Sequence, residues 1–438
     1  CCAPRRAAAR DDMTRSQESV VIAPAGPIAW RGTVPGSKSL SARALITAAL
    51  AEGRSRLPGL LRCEDTEHLA RALAGCGMAV ALTAQGAEVG GPGGESPGRR
   101  GAFFVGNAGT AMRFLTAALT VAEGRYTIDG TARMRARPIG ELTAALTALG
   151  ADVRDTRGFP PVAIGPARLR GGAVAIAGDR SSQFASGLLM AAPYGASALE
   201  LEVTGAVVSR PYLDLTVAVM EGFGVKIEVR EDPLRFRVAP GRYAGRDYPI
   251  EPDASSASYF FAAAAVTGGT ATVENLGRGT RQGDAAFVDV LVSMGCRAER
   301  TVQATTVRGG PLRGVAVDAA AFPDVVPTIA AVAIFAAGRT EIRGVPHLRI
   351  KESDRIASVA AELRKLGAHV EERPDGLAIE GGRRLRGALI DTWNDHRIAM
   401  AAAVAGLRIP GVVIAAPGVV DKSFPGFFAR WAELGRVG

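Results

Sequence analysis

The chain has 438 residues, a net charge of +9 and only 5% aromatic residues. That length predicts two domains of about 200 residues each, and the basic residues are spread along the chain without enough aromatic platforms for single-stranded nucleic acid, so small anionic ligands are the expected partners. The longest weakly polar runs, Tyr259–Val273 and Val325–Gly338, are shorter than the roughly 20 residues a membrane span needs and read as buried helices.

In chain order, the Ala/Arg-rich segment 1–12 lacks the apolar core of a secretory signal and reads as a disordered leader, with Met13 a candidate start. Next comes Pro35-Gly36-Ser37-Lys38-Ser39-Leu40-Ser41-Ala42-Arg43, followed by an apolar run to Leu50. Glycine frees the backbone there, and serine hydroxyls at a helix N-terminus can hold an anion. Ser37 interrupts the Gly-Lys contiguity that a nucleotide-binding P-loop needs. The Gly/Pro stretch Gly90–Gly101 reads as a surface loop. Gly106-Asn107-Ala108-Gly109-Thr110-Ala111-Met112-Arg113 puts small residues before a helix, which suits close approach by a ligand. Arg133-Met134-Arg135-Ala136-Arg137-Pro138 reads as a basic loop, and such a run is commonly solvated. Asp179-Arg180-Ser181-Ser182-Gln183-Phe184 and Ser209-Arg210-Pro211-Tyr212 offer hydroxyls and an amide suited to a polyhydroxyl ring.

The second half adds acids and further bases. Asp324 precedes an apolar helix, where an N-cap is the simplest role. His347-Leu348-Arg349-Ile350-Lys351-Glu352-Ser353-Asp354-Arg355 packs opposing charges together, and on a helix Lys351 and Arg355 would share a face at i, i+4. Asn394-Asp395-His396-Arg397 opens another apolar helix, and Asp421-Lys422-Ser423-Phe424-Pro425 supplies a lysine. Only five of the 52 basic residues are lysines (38, 226, 351, 365, 422), so the lysines stand out, and three of them, 38, 351 and 422, fall within these segments. The five cysteines show no zinc spacing and no disulfide framework, which fits a reducing cytoplasm.

One pattern recurs: a helical run ending in a large residue and glycine, followed by a strand. It occurs at Leu69–Val80, Leu142–Val153, Leu215–Ile227, Val288–Ala298, Val359–Val370 and Phe427–Val437, with glycines at 77, 150, 224, 295, 367 and 435. The spacings are 73, 74, 71, 72 and 68 residues, which signals internal duplication. Each glycine is expected to end its helix in the left-handed conformation. Six units grouped as three plus three match a two-domain α/β protein, with anion-binding segments in both halves and hence an expected interdomain cleft.

Taken together, Pro35–Arg43, Gly106–Arg113, Ser181–Phe184, Asp253–Tyr259, Lys351–Arg355 and Asn394–Arg397 appear in the order seen in the EPSP synthase (3-phosphoshikimate 1-carboxyvinyltransferase) family of enolpyruvyl transferases, which the chain resembles from about Gly32 to Phe428. The resemblance implies a two-domain inside-out α/β barrel, each domain three βαβαββ repeats. The N-terminal domain would be 36–251 and the C-terminal domain 13–35 plus 252–438, with the active site in the cleft between them. It implies transfer of the enolpyruvyl group of phosphoenolpyruvate to the 5-hydroxyl of shikimate 3-phosphate, without metal or organic cofactor, nucleic acid or membrane, by a monomer. Lys38, Ser39, Arg43, Ser181, Ser182, Gln183, Ser209, Asp324, His347 and Lys351 would contact shikimate 3-phosphate. Lys38, Gly109, Arg137, Gln183, Arg355, Arg397 and Lys422 would contact phosphoenolpyruvate. Asp324 and Glu352 would handle protons, Asp324 as base toward the hydroxyl. Lys38 and Lys422 can exchange protons where arginine cannot, and His396 is a further acid/base candidate.

This chain departs from the family pattern at three places. His347 stands where many relatives have Asn, Ala42 replaces a common Asn, and Phe114 follows Arg113 where many glyphosate-sensitive relatives have Pro. Gly109, where relatives use a methyl to exclude glyphosate, is retained, so glyphosate is expected to compete with phosphoenolpyruvate. The related family acting on UDP-N-acetylglucosamine carries a reactive cysteine in the loop matching Ala132–Arg137, and this chain has none there.

Overall fold

The computed structural model describes residues 18–94, 99–121 and 124–435; the segment 1–12, read as a leader, lies outside them. The chain divides into two compact units. One comprises Pro35–Asp253 together with Arg281–Gly283. The other comprises the residues up to Val34, then Ala254–Thr280 and the chain from Asp284 onward. The short piece Arg281–Gly283 was not marked in the sequence. It joins the first unit because Gln282 Nε2 donates to the carbonyl of Pro252 at 2.7 Å.

Each unit carries three sheets of one design. In Pro35–Asp253, Arg100–Phe104 pairs in parallel with Arg125–Asp129, which pairs antiparallel with Phe159–Ile164 and through it with Val153–Thr156. Gly172–Ala177, Leu199–Thr204, Leu234–Val238 and Ile227–Glu231 repeat this order. The helices Gly109–Ala118 and Gly140–Ala148 serve the first of these sheets, and Ser182–Ala191 and Arg210–Gly222 the second. The remaining sheet has only Glu52–Pro58, Gly86–Pro92 and Ala79–Thr83. Its parallel edge is supplied by the returning chain, where Ala244 and Asp247 bridge Glu52 and Arg56.

The other unit borrows strands in the same way. Ala316–Asp318, Arg339–Arg343, Gly376–Glu380 and His369–Arg373 form a complete copy. Thr270–Glu274 takes Ala29–Gly32 as its parallel neighbour, and Val413–Ala415 pairs in parallel with Leu389–Ile390 and antiparallel with Ser19–Val21.

That last pairing explains a correction to the repeat. Five of the six repeat glycines (77, 150, 224, 295, 367) have φ between +90° and +113°. Gly435 is not among the left-handed glycines; it closes a 3-10 turn, Ala432–Gly435, after the short helix Phe427–Trp431. The sixth sheet draws its antiparallel strand from Ser19–Val21, and the end of the joint expected at Phe427–Val437 lies outside the described residues.

The helices are the inner layer. All of Ala254–Thr267 is buried, and Lys38–Leu50 is buried from Leu40 onward. A helix apolar all round must be enclosed, whereas strands such as Leu199–Thr204 alternate buried and open residues. Helices within and sheets without make each unit an inside-out α/β barrel. Neither of the two long apolar runs is helical throughout. Gly268, at φ +74°, turns the first from its helix into the strand Thr270–Glu274, and the second leaves the helix Val326–Ala333 for a strand starting at Arg339. Among the described residues no helix is long and apolar enough to cross a membrane.

Candidate functional site

The expected site residues fall into two groups, one per unit. In Pro35–Asp253, the Ser37 hydroxyl accepts from Leu40 N, which starts the helix Lys38–Leu50 and puts Lys38 at its N-terminus. The Lys38 backbone N–H donates to Asp253 Oδ2 at 2.9 Å, and its Nζ lies 3.4 Å from Asp65 Oδ2. Ser39 stands beside it and accepts from Arg43 Nη1 through its carbonyl at 3.0 Å. Arg43 points inward. Its guanidinium donates to Thr216 Oγ1, Ser186 Oγ and the Tyr212 carbonyl, and sits 5.2 Å from the Phe114 ring centroid. Burial pushes its pKa down to about 10, so it remains a cation at neutral pH. The Phe114 departure therefore acts under Arg43, through a cation–π contact.

Gly109 is the first residue of the helix Gly109–Ala118. A Cβ there would lie 2.5 Å from Arg137 Nη2 and 3.0 Å from Arg113 Nη1, so only glycine lets both guanidiniums come this close. Arg137 is buried and donates to the Asn107 carbonyl and side chain. The basic loop is in fact a short helix, Ala132–Arg135, capped by Thr131. Arg135 turns to the surface and pairs with Asp129, so the solvated reading holds for it but not for Arg137. Ser181 caps the helix Ser182–Ala191 by accepting from Gln183 N at 3.2 Å, and Gln183 Nε2 reaches Thr110 Oγ1, also at 3.2 Å. Ser209 is buried in the left-handed region, φ +57°, just before the helix Arg210–Gly222.

The other unit gathers acids around a buried guanidinium. Arg355, 2% exposed, donates through Nε and Nη2 to Asp395, through Nη1 to Asp324 (2.9 Å) and through Nη2 to Glu352 (2.8 Å). Burial works to lower its pKa, but Asp395, Glu352 and Asp324 outweigh that and the net shift is upward. Asp324 is not the N-cap of the helix Val326–Ala333, whose N-cap is Val325. It lies in the 3-10 turn Pro323–Val325 and also accepts from Arg397 Nη2 at 2.5 Å. Lys351 and Arg355 do not share a helix. Lys351 ends the 3-10 helix Pro346–Ile350, and Arg355 opens a new helix capped by Asp354. Asp395 caps the helix His396–Gly406 by accepting from Arg397 N, and buried His396 has Nδ1 3.6 Å from Asp395 Oδ1. Lys422 is buried at the end of the 3-10 helix Pro417–Lys422.

His347 is 3% exposed, and neither ring nitrogen has a hydrogen-bond partner among the described residues. Burial, reinforced by the positive charge of Lys351, pushes its pKa from 6.5 down to about 3. The folded protein thus keeps a neutral imidazole while the unfolded chain takes up a proton as pH falls below about 6.5. Stability from this residue is intact above that pH and is lost progressively toward pH 3. His347→Asn should flatten this part of the acid limb. Urea midpoints at pH 7 and pH 5 check it: equal pH slopes for the two proteins would show that the imidazole carries no such linkage.

Three residues were overlooked as site members in the sequence: Asp65 and Asp253, which hold Lys38, and Asp395, which was quoted in a motif without a role. Asp253 lies 215 residues from Lys38, and no local spacing could join them. The apolar helix start after Asn394-Asp395 did signal a cap.

The family model for EPSP synthase (3-phosphoshikimate 1-carboxyvinyltransferase) matches residues 24–431. The 3-phosphoshikimate 1-carboxyvinyltransferase of Shewanella loihica is 44% identical over 408 residues, covering 92% of this chain and 96% of its own. That of Nostoc punctiforme is 42% identical over 407 residues, covering 92% and 95%. The solved EPSP synthase of Acinetobacter baumannii superimposes with a TM-score of 0.80 at 27% identity, covering 95% of this chain and 98% of that one. This chain belongs to the EPSP synthase family.

Proposed function

We propose that this chain transfers the enolpyruvyl group of phosphoenolpyruvate to the 5-hydroxyl of shikimate 3-phosphate by addition and elimination, releasing phosphate and 5-enolpyruvylshikimate 3-phosphate. Family membership supports the reading. The observation that carries it is the Asp324 carboxylate held between two buried guanidiniums, Arg355 and Arg397. Guanidiniums arranged to grip one carboxylate suit the carboxylate and phosphate of phosphoenolpyruvate. In this reading Arg137, Arg355, Arg397, Lys422 and the Gly109 backbone hold phosphoenolpyruvate. Ser39, Arg43, Ser181, Ser182, Ser209, His347 and Lys351 serve shikimate 3-phosphate, with Lys38 and Gln183 touching both. Neutral His347 contributes an N–H, not a charge.

Asp324 takes the proton of the 5-hydroxyl as its oxygen bonds to C2. Glu352, Lys38 or Lys422 delivers a proton to the methylene carbon, with His396 as a further acid. The same group, now deprotonated, takes a proton back from the new methyl carbon as phosphate leaves C2, which restores the enol ether. Buried free thiols at Cys63 and Cys296 support a reducing, cytoplasmic setting.

The test is phosphate release from phosphoenolpyruvate with either shikimate 3-phosphate or UDP-N-acetylglucosamine as acceptor. Release with the first alone is expected; release only with the second would overturn the reading. Glyphosate should inhibit competitively against phosphoenolpyruvate. Gly109→Ala pushes a methyl against Arg137, so glyphosate inhibition should weaken by about tenfold or more, with a smaller rise in the KM for phosphoenolpyruvate. Undiminished turnover of the parent protein at millimolar glyphosate would contradict this.

A further inference from the structure

Glu362 has no part in the reading so far. It lies in the helix Arg355–Lys365, two turns beyond Arg355, and is 3% exposed. Its carboxylate accepts twice from Lys365 Nζ (2.9 and 2.7 Å), once from the Asp391 backbone N–H (3.0 Å) and once from Trp393 Nε1 (2.8 Å). The last two bonds fasten the turn after the strand Leu389–Ile390 to this helix.

That turn is strained. Trp393 and Asn394 both have φ +52°. Asparagine tolerates the left-handed region, but a bulky aromatic residue is a true outlier there. Such a conformation persists only where the surroundings over-determine it. The surroundings here are the Glu362 carboxylate, Asp391 Oδ1 accepting from Trp393 N (2.8 Å), and the Thr392 carbonyl accepting from Asp395 N (2.8 Å). The residue delivered by the turn is Asp395, which orients Arg355 through Nε and caps the helix bearing Arg397. Arg355 in turn opens the helix that carries Glu362, so the contacts form a closed ring.

We propose that Glu362 is a positioning residue: by clamping Asp391 and Trp393 it holds the left-handed turn that sets Asp395, and through Asp395 the guanidiniums of Arg355 and Arg397, in place for phosphoenolpyruvate. The role of those arginines rests on the function proposed above. Lys365 neutralises the clamp from the solvent side, and its side chain is 43% exposed.

Steady-state kinetics of three variants test the clamp. Glu362→Ala should raise the KM for phosphoenolpyruvate about tenfold or more, with the KM for shikimate 3-phosphate little changed. Trp393→Phe removes only the indole donor and should shift the same constant in the same direction by less. Arg300→Ala, at the surface bridge to Asp289 and outside the clamp, should leave both constants at their parent values. Amide hydrogen exchange at residues 391–397 should quicken in Glu362→Ala and Trp393→Phe but not in Arg300→Ala. An unchanged KM for phosphoenolpyruvate in both clamp variants would overturn the assignment. If Glu362→Ala does not fold, Trp393→Phe decides. If the parent protein releases no phosphate with shikimate 3-phosphate, the functional reading fails by itself. The exchange data then judge the clamp: faster exchange at 391–397 supports it and unchanged exchange overturns it.

Discussion

Replacing Lys38 by arginine is expected to lower kcat by about a hundredfold or more while leaving the protein folded. Lys38 stands at a helix N-terminus with its side chain only 13% exposed, its backbone tied to Asp253 and its ammonium beside Asp65. Arginine keeps the positive charge and the attraction to anions. It is also longer and does not give up its proton at neutral pH. A purely electrostatic role would be served by either side chain, so the KM values should move less than kcat. The measurement is phosphate release under saturating substrates, with Lys38→Met as the variant lacking both charge and proton. Near-parental turnover in Lys38→Arg would remove Lys38 from the proton-transfer steps.

Asp395→Ala is expected to destabilise the protein by about 3–5 kcal/mol, read from the urea midpoint. Asp395 is 0% exposed and accepts from Ser353 Oγ, Arg355 Nε and Nη2, and Arg397 N. Its removal leaves a buried guanidinium short of a carboxylate and the His396 helix without its cap. Breaking one partner of a buried ion pair is far costlier than losing a surface bridge. Arg300→Ala, which cuts the bridge to the largely exposed Asp289, is the natural control and should cost about 1 kcal/mol or less. A loss under about 1 kcal/mol for Asp395→Ala would mean that Asp324 and Glu352 alone satisfy Arg355.

Much of the fold was legible because its grammar is local. A glycine after a helical run needs only its neighbours to be read, and five such glycines adopt the expected left-handed conformation. The sixth failed because its sheet is completed from the other end of the chain, by Ser19–Val21, which no local pattern announces. The same division runs through the candidate site. Ser37, Ser181, Asp354 and Asp395 cap helices, and their residue types before apolar runs say so. Asp324 has the same sequence signature and is not a cap, because two distant guanidiniums claim its carboxylate. Lys351 and Arg355 looked like one helical face only while the cap signal of Ser353-Asp354 between them was overlooked. Arg137 could not be told from Arg135 by spacing. What separates them is the bare Cα of Gly109, which makes room for one guanidinium and not the other.

The borrowed strands also bear on synthesis. Nearly all of the Pro35–Asp253 unit is one continuous stretch, so it can complete its three sheets as it leaves the ribosome. The other unit cannot. Ala29–Gly32 must wait for Thr270–Glu274, and Ser19–Val21 for Val413–Ala415, both made much later. Two short segments thus emerge well before the strands they pair with, and their open edges stay exposed to partners in the meantime. A ribosome stalled before Val413 should therefore carry one protease-resistant barrel and one still open to digestion.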